Sequence, residues 1–410
     1  MLVSICSGLS ALSAFGVNIA ISRLFGGELF GFYSYIVSFT ALTSVISCFG
    51  FNQFILLRLP KIDLAEKGHW LSNVTRTFYI TLAITSVIIV FYLSYIGFSF
   101  YLSIFIVLIN TAVSISLIRI SILISEGDAV FANAIEKLIR SIFFLLSLIL
   151  FYSTIGSDLS YYLLCIVLLT SYVFVSFFSN KKINKNSKIY KVSIGGVVEK
   201  KDLHVTIKLF SILLIVTLIT NVDVIILERI SDMKTVAYYS SAQKVSMLSS
   251  IVLLSVNNVV FPILVKSTGN RVPIINNLAT LIGFVSSLMF LLIVFYFGDL
   301  ILGLFGEDYK HYNNLALLIT FGYFLSSIFG QTLTMMKIKE EFLPLFIYLI
   351  IGLTIKLGFI YFYYENLGLE AIAYSTILCV LTWNFLCFLH LNKKYKLNTT
   401  IFSSLVRCTK

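Results

Sequence analysis

Three ionisable side chains lie within long apolar stretches of the sequence, where a charge is costly. Lys356 lies near the middle of one stretch, Lys244 lies well inside another, and Asp223 lies close to the end of a third. An ionisable residue inside a membrane span costs about 2.5–3.5 kcal/mol on insertion scales and commonly marks a functional site. Lys356 is expected to face a wet cavity and to attract an anionic group, unless it extends its side chain to the membrane interface instead.

Asp223 and Lys244 allow two interpretations. Adjacent spans run antiparallel, so the two side chains could meet in a structural salt bridge that spares two buried charges. Alternatively, Asp223 could respond to a cation or proton and switch the protein between outward and inward states. The residues alone do not decide between these interpretations.

The elements that must hold these residues are membrane-spanning helices. Hydrophobic residues make up 59% of the 410-residue chain, charged residues 12%, and the mean hydropathy is +0.97. A soluble domain carries about 25% charged residues, so this chain could not cover itself with a wetted surface. Its apolar runs of roughly 20 residues cross a hydrocarbon core as helices, whereas β-barrel strands alternate over about 10 residues.

Twelve stretches have the length and apolar character of spans, which predicts an all-α polytopic membrane protein. The predicted spans are 3–22, 31–56, 78–98, 101–122, 141–156, 161–179, 207–227, 236–261, 273–297, 313–335, 344–363 and 369–391.

The distribution of basic residues predicts the orientation of these spans. Most of the 30 lysines and arginines fall in one alternate set of loops, together with the C-terminal tail. Because cytoplasmic loops are enriched in lysine and arginine, that set is assigned to the cytoplasm, and both termini face it. The formal net charge of +11 therefore reflects topology, and no nucleic-acid partner is expected.

A weak internal repeat divides the chain in two. With an offset of 206 residues, Arg23 aligns with Arg229, Tyr33 with Tyr239, Ser34 with Ser240 and Asn52 with Asn258. A long basic segment lies between the sixth and seventh spans. Parallel six-span repeats suit two pseudo-symmetric bundles around a central cavity and alternating access. The predicted domains are an N-terminal lobe (1–179), a basic cytoplasmic linker (180–206), a C-terminal lobe (207–391) and a basic cytoplasmic tail (392–410).

Residue patterns for catalysis or metal binding are lacking in this sequence. The six cysteines form no CxxC pair and the four histidines are scattered, so we expect no metal site and no cofactor. Asparagines such as Asn110, and also Gln331, could bind sugars or link helices. These features predict a transporter rather than an enzyme, and an amphiphilic anion whose head group cannot cross hydrocarbon unaided as its cargo.

Four segments resemble one family, the polysaccharide-exporting flippases of the multidrug/oligosaccharidyl-lipid/polysaccharide exporter superfamily. The resemblance begins at SRLFGGELFGFYSY, residues 22–35, after the first span, and continues at NVDVIILERISDMKTVAYYSSAQKV, residues 221–245. LFGEDYKHYNNLALLI, 304–319, and NLGLEAIAYSTI, 366–377, are similar to two later segments of the family.

The resemblance implies a function and roles for residues. Members carry undecaprenyl-pyrophosphate-linked oligosaccharides, such as the O-antigen repeat unit, to the periplasmic leaflet of the bacterial inner membrane. It implies coupling to an H⁺ or Na⁺ gradient, membrane lipids as surroundings, and a polysaccharide polymerase and a chain-length regulator as partners. The implied substrate-binding residues are Arg23, Arg119, Lys244 and Lys356, and the implied ion-coupling residue is Asp223.

Four alternatives remain at this point. An O-antigen polymerase should carry a large external loop, which none of the predicted outer loops provides. A multidrug/cation antiporter of the same superfamily should have an acidic cavity, whereas the two deepest charges here are lysines. A lipid II flippase often has two more spans, and a structural scaffold would have no reason for the two-lobe repeat.

Overall fold

The computed structural model of the protein describes residues 2–156, 160–186, 196, 198–249 and 271–402. Every regular element in these ranges is helical, which confirms the predicted all-α class. Helices are the expected outcome for such an apolar chain, because a backbone in hydrocarbon must satisfy its N–H and C=O groups within the segment.

Two compact units make up the chain, Met1–Lys234 and Thr235–Lys410. The helices of the first unit are α1 (Leu2–Phe25), α2 (Gly27–Cys48), α3 (Phe51–Arg58), α4 (Leu64–Tyr95), α5 (Phe100–Ser125), α6 (Ala129–Asn133), α7 (Arg140–Ile155), α8 (Tyr161–Asn186) and α9 (Lys200–Ile230). A 3₁₀ turn, Leu59–Lys61, follows α3, and a π-helical segment, Ala134–Ile139, joins α6 to α7.

The second unit follows a boundary that lies at the start of α10. Its helices are α10 (Met233–Met247), α11 (Arg271–Gly303), α12 (Asn313–Ser327), α13 (Thr332–Ile338), α14 (Phe342–Leu367) and α15 (Leu369–Tyr395). A 3₁₀ helix, Glu307–Tyr312, precedes α12.

Nine helices in the described part of the chain are long and apolar enough to cross a membrane, and the bent pair α12–α13 raises this number to ten. The protein is thus a multi-pass membrane protein. The predicted fifth span corresponds to the 16-residue α7. Much of the predicted eighth span lies outside the described residues. The count of twelve and the cytoplasmic position of both termini stay predictions.

Serine side chains cap the starts of two helices. The Ser99 hydroxyl accepts a hydrogen bond from the Leu102 N–H at 3.3 Å, and the Ser160 hydroxyl accepts one from the Leu163 N–H at 3.3 Å. Such caps satisfy N–H groups that have no partner within the helix. Pro344 lies in the first turn of α14, where its missing N–H costs nothing.

The centre of the first unit is α2. It packs against α1, α4, α5 and α9, and it buries hydroxyl side chains as well as large apolar ones. α9 therefore belongs by its contacts to the first unit. Part of the predicted linker, residues 187–195 and 197, lies outside the described residues. The predicted division into lobes at 180–206 stays a prediction.

The predicted second span, 31–56, is interrupted in the structure. Its two parts, α2 and α3, meet at Gly50, which has a φ of +77°. A Cβ atom there would lie 2.8 Å from the Thr206 carbonyl oxygen and 2.9 Å from the Phe210 nitrogen. Glycine thus permits both the left-handed turn and the close approach of the α9 backbone. The span list does not show this break, because the requirement for glycine is set by tertiary packing.

The predicted tenth span, 313–335, is also broken. α12 and α13 are bent by 46° across residues 328–331. Gly330 has a φ of +69°, and a Cβ atom there would lie 2.3 Å from both Thr280 Oγ1 and the Thr399 carbonyl oxygen. The Ile401 N–H donates to the Ile328 carbonyl at 3.0 Å, so the C-terminal segment satisfies a backbone group that the break exposes.

Asn384 on α15 bridges the same break from the side. Its Oδ1 accepts a hydrogen bond from Thr332 Oγ1 at 2.6 Å, and its Nδ2 donates to Ser326 Oγ at 3.3 Å. Ser326 precedes the break and Thr332 follows it. One buried amide thus holds both halves of the broken span.

Candidate functional site

Lys356 is fully buried in the second unit. It shares one face of α14 with the buried residues Leu345, Leu349, Gly352 and Ile360. This face packs against α15, since a Cβ atom added at Gly352 would lie 3.1 Å from the Cys379 carbonyl oxygen. The sequence predicted a mid-span lysine facing a wet cavity. The structure shows the mid-span position and places the side chain in the helix packing.

Asp223 and Lys244 belong to different units. Asp223 lies on α9 in the first unit with 1% of its surface exposed. Lys244 lies on α10 in the second unit and is half-buried. Asp223 is thus withdrawn from solvent and Lys244 is only partly so. Their pairing stays a prediction.

Arg119 and Arg23, the two arginines of the predicted set, have different surroundings. Arg119 Nη1 donates to the Ser176 carbonyl oxygen at 2.6 Å and to Ser176 Oγ at 2.7 Å, which ties α5 to α8. Arg23 is exposed in the last turn of α1. A cation at a helix C-terminus complements the helix dipole. The substrate-binding roles of both arginines stay predictions.

Arg140 is a charged residue whose packing the sequence did not reveal. It begins α7 directly after the π-helical segment, and its Nε donates to the Glu136 carbonyl oxygen at 2.9 Å. Its guanidinium carbon lies 4.6 Å from the centre of the Tyr172 ring on α8, within cation–π distance. The pairing with an aromatic ring on another helix leaves no local sequence signal.

Asn110 links helices at the centre of the first unit. Its Oδ1 accepts a hydrogen bond from Thr43 Oγ1 at 3.0 Å, and its Nδ2 donates to Ser47 Oγ at 3.0 Å. Thr81 Oγ1 donates to the Ser47 carbonyl oxygen at 2.8 Å, so α2, α4 and α5 share one polar network. Of the two interpretations of this asparagine, the structure shows the interhelical link.

Metal binding has no visible basis in the described residues, where no three His, Cys, Asp or Glu side chains are grouped to hold an ion. Cys48, Cys165, Cys379 and Cys387 are buried thiols. Such cysteines behave as small apolar residues.

A polar cavity of about 610 Å³ lies in the first unit. α3, α4 and the start of α9 form its walls. The wall residues are Arg58, Lys61, Ile62, Asp63, Glu66, His69, Trp70, Asn73, Val74, Val198, Glu199, Lys201 and Asp202. The predicted topology assigns these residues to the cytoplasmic side. The sequence did not suggest the cavity, because its walls are separated by more than a hundred residues along the chain.

An apolar groove of about 440 Å³ lies in the second unit between α11 and α12. Leucine and aromatic side chains line it almost completely. They are Leu291, Leu292, Phe295, Tyr296, Leu317, Leu318 and Phe321. Such a surface is compatible with lipid chains in the surrounding bilayer.

An ionic cluster joins the start of α14 to the end of α15. Glu341 accepts hydrogen bonds from Lys394 and Tyr395, and His390 Nε2 lies 3.4 Å from Glu341 Oε2. The Tyr348 hydroxyl lies 3.1 Å from His390 Nδ1. The bonds from Lys394 and Tyr395 lower the pKa of Glu341 below its ordinary value, because they stabilise the charged carboxylate.

Solved structures of transporters share this fold. The chain is similar to the lipid II flippase MurJ in an inward closed conformation, with 16% identity, a TM-score of 0.77, and coverage of 100% of this chain and 93% of that one. It is also similar to an inward-facing multidrug resistance MATE family transporter of the MOP superfamily, with 17% identity, a TM-score of 0.71, and coverage of 94% of each chain. MATE in the straight conformation gives 17% identity and a TM-score of 0.67, and covers 97% of this chain and 95% of that one.

Sequence comparison supports the same grouping. A search of curated protein sequences finds no match. A profile of the family described as polysaccharide biosynthesis protein matches residues 1–268, well over half of the chain. The resemblance seen in the segments 22–35 and 221–245 is therefore confirmed at the level of the family. The chain belongs to the polysaccharide biosynthesis protein family.

Proposed function

We propose that this protein is a flippase that moves an undecaprenyl-pyrophosphate-linked oligosaccharide, the O-antigen repeat unit, between the leaflets of a bacterial inner membrane. The observation that carries the proposal is the combination of a polysaccharide biosynthesis family match over 1–268 with a fold like that of the lipid II flippase MurJ. A lipid-linked sugar is the cargo that agrees with both. The direction of transport is from the cytoplasmic to the periplasmic leaflet.

The physical need for such a protein follows from the cargo. A sugar–pyrophosphate head group carries charges and many hydroxyl groups, and moving these through hydrocarbon without partners is prohibitively costly. The isoprenoid tail is compatible with lipid at every stage. A transporter therefore has to shield only the head group, and it alternates access between the two sides of the membrane.

In this proposal, Lys356, Lys244, Arg119 and Arg23 attract the pyrophosphate or acidic sugars. Burial of Lys356 at the α14–α15 contact means that these helices must part before its ammonium group meets substrate. Arg119 uses Nη1 to hold Ser176 and keeps further N–H donors on its guanidinium. Asp223 binds H⁺ or Na⁺ and couples the ion gradient to the conformational change. A polysaccharide polymerase and a chain-length regulator act on the product.

Deletion of the gene in its host tests the proposal. We expect lipopolysaccharide without O-units, together with lipid-linked repeat units that remain on the cytoplasmic face and resist an impermeant glycosidase added to spheroplasts. Wild-type protein supplied from a plasmid should restore both. A purified preparation in liposomes should translocate a fluorescent lipid-linked oligosaccharide.

Other outcomes of the deletion identify the alternatives. Cores capped by one O-unit would show that export persists, and would indicate a polymerase instead. An unchanged lipopolysaccharide ladder together with increased drug sensitivity would indicate a multidrug/cation antiporter. Either outcome would overturn the proposal.

A further inference from the structure

The polar cavity of the first unit has the size of a ligand site. Its volume of about 610 Å³ falls within the range of about 300–1,000 Å³ that is typical of sites for small molecules. Its walls come from α3, α4 and the residues that lead into α9. None of the predicted substrate-binding residues lines it, so it is distinct from the site inferred from the sequence.

The charges of this cavity are nearly balanced. Three basic residues and four acidic residues line it: Arg58, Lys61, Lys201, Asp63, Glu66, Glu199 and Asp202. A site for pyrophosphate or another polyanion would require an excess of positive charge. A balanced set of donors and acceptors suits a ligand with many hydroxyl groups, since each hydroxyl both donates and accepts a hydrogen bond.

Trp70 supplies a flat apolar surface among these polar groups. Its Nε1 donates to Asp202 Oδ2 at 3.2 Å, and Asp202 Oδ1 lies 3.9 Å from Arg58 Nη2. The ring of Phe54 packs near the indole, with a distance of 5.4 Å between ring centres. These contacts fix the orientation of Trp70, which remains half-buried and lines the cavity.

We propose that this cavity binds sugar residues of the glycan before translocation. A pyranose ring has one face of C–H groups, which packs on an indole, and a rim of hydroxyl groups, which requires carboxylate acceptors and basic donors. Trp70 would pack on the C–H face of the sugar, and Glu66, Asp63 and Lys201 would form hydrogen bonds with its hydroxyl groups. This inference rests on the proposed function, because it assigns to a flippase a loading site separate from its path.

The two tryptophans of the chain make a direct test practical. Trp383 lies in the second unit, so Trp383→Phe leaves Trp70 as the single tryptophan. The full-length protein in lipid nanodiscs is titrated with glucose, galactose, N-acetylglucosamine, N-acetylgalactosamine, mannose and rhamnose. We expect at least one sugar to change Trp70 fluorescence saturably and to protect it from acrylamide quenching. Sodium pyrophosphate should have no such effect.

Variants assign the response to the cavity. Glu66→Ala should weaken binding of the responding sugar about tenfold, as expected for the loss of hydrogen bonds to a charged acceptor. Glu28→Ala, which removes an exposed carboxylate of the same unit that does not line the cavity, should bind as the single-tryptophan protein does. Trp70→Phe with Trp383 retained should show no response.

The outcomes separate the two proposals. If no sugar in the panel alters Trp70 fluorescence, the cavity is not a sugar site and this inference fails. The same conclusion follows if Glu66→Ala and Glu28→Ala bind equally. Translocation of lipid-linked oligosaccharide is measured on the same preparation. Translocation without a Trp70 response would reject the cavity alone, whereas a response without translocation would reject the flippase.

Discussion

Asn384 Oδ1 on α15 accepts a 2.6 Å hydrogen bond from Thr332 Oγ1. Thr332 is the first residue of α13, the second half of the broken membrane span. The same amide donates to Ser326 Oγ on the first half. Both sides of the break thus depend on one side chain of a neighbouring helix. Discontinuous helices in transporters commonly lie near the path of the substrate. A break held by defined partners keeps its geometry while the helices around it move.

We expect Asn384→Leu to lower the stability of the protein by about 1–3 kcal/mol, because it leaves the buried Thr332 hydroxyl and the half-buried Ser326 hydroxyl without this partner. Thr382→Ala is the control, since Thr382 is half-buried on the same helix and its hydroxyl donates to the Leu378 carbonyl of its own helix. Thermal unfolding in detergent micelles measures both. Equal melting temperatures for the two variants would show that the bridge does not stabilise the break.

Gly330→Ala should lower the stability of the protein by more than the cost of placing alanine at a positive φ. The new Cβ atom would lie 2.3 Å from Thr280 Oγ1 and from the Thr399 carbonyl oxygen. Overpacking of this kind typically costs about 1–3 kcal/mol, in addition to about 1–2 kcal/mol for the positive φ.

Gly368→Ala provides the matched control, because Gly368 has a φ of +54° but open space around its Cα. Gly368→Ala should lose stability only through its strained backbone conformation. A smaller loss of melting temperature for Gly368→Ala than for Gly330→Ala therefore measures the close approach to the C-terminal segment. Equal losses would contradict that assignment.

Glu341→Gln should lower the melting temperature by a few degrees at pH 7.5 and have little effect in acid. The pKa of Glu341 is lowered in the folded state by its hydrogen bonds from Lys394 and Tyr395. Its contribution is therefore complete above the ordinary carboxyl pKa of about 4.3, and it is lost as the pH falls through the lowered value. Melting curves of both proteins between pH 7.5 and pH 3 test this dependence.

Glu340→Gln is the control for this series, because Glu340 is the exposed neighbour of Glu341. It should match the wild type at every pH. A constant difference between wild type and Glu341→Gln over the whole pH range would mean that the carboxylate charge does not contribute to the cluster.

Lys356→Met should reduce export of the lipid-linked oligosaccharide at least about tenfold, as expected for the loss of a charge-assisted hydrogen bond to substrate. Folded protein should remain in the membrane, so that the loss of export reports the loss of the charge and not a loss of the fold. Complementation of the deletion strain and thermal unfolding measure the two effects. Lys208→Met, at an exposed lysine of α9, should export normally. Normal export by Lys356→Met would remove this lysine from the mechanism.

The sequence was sufficient to predict the class of fold and the family. Long apolar runs define helices whatever their tertiary partners, because hydrocarbon leaves the backbone no alternative. The family-like segment that includes Arg23 falls at the end of α1 and the start of α2, where Gly26 has a φ of +88°. Apolar runs and short motifs of this kind depend on residues that are close in sequence, so they can be recognised from the sequence alone.

Breaks within apolar runs could not be predicted in this way. Residues around Gly330 keep the apolar character of a continuous span, and the break depends on contacts with Thr280 and Thr399. The cavity at Trp70 is likewise formed with Asp202, which lies 132 residues further along the chain. The burial of Lys356 against α15 depends on how two helices pack. These features require the tertiary structure.

The packing of α9 on α2 has a consequence for biosynthesis. α2 is the most enclosed of the candidate spans in the described ranges, and α9 is one of the helices that pack on it. Several helices are synthesised after α2 and before α9. The side of α2 that contacts α9 therefore lacks its packing partner until α9 has been made. A chain that stops before α9 would leave this side of α2 without its packing partner, and we expect it to be a substrate for membrane quality-control proteases.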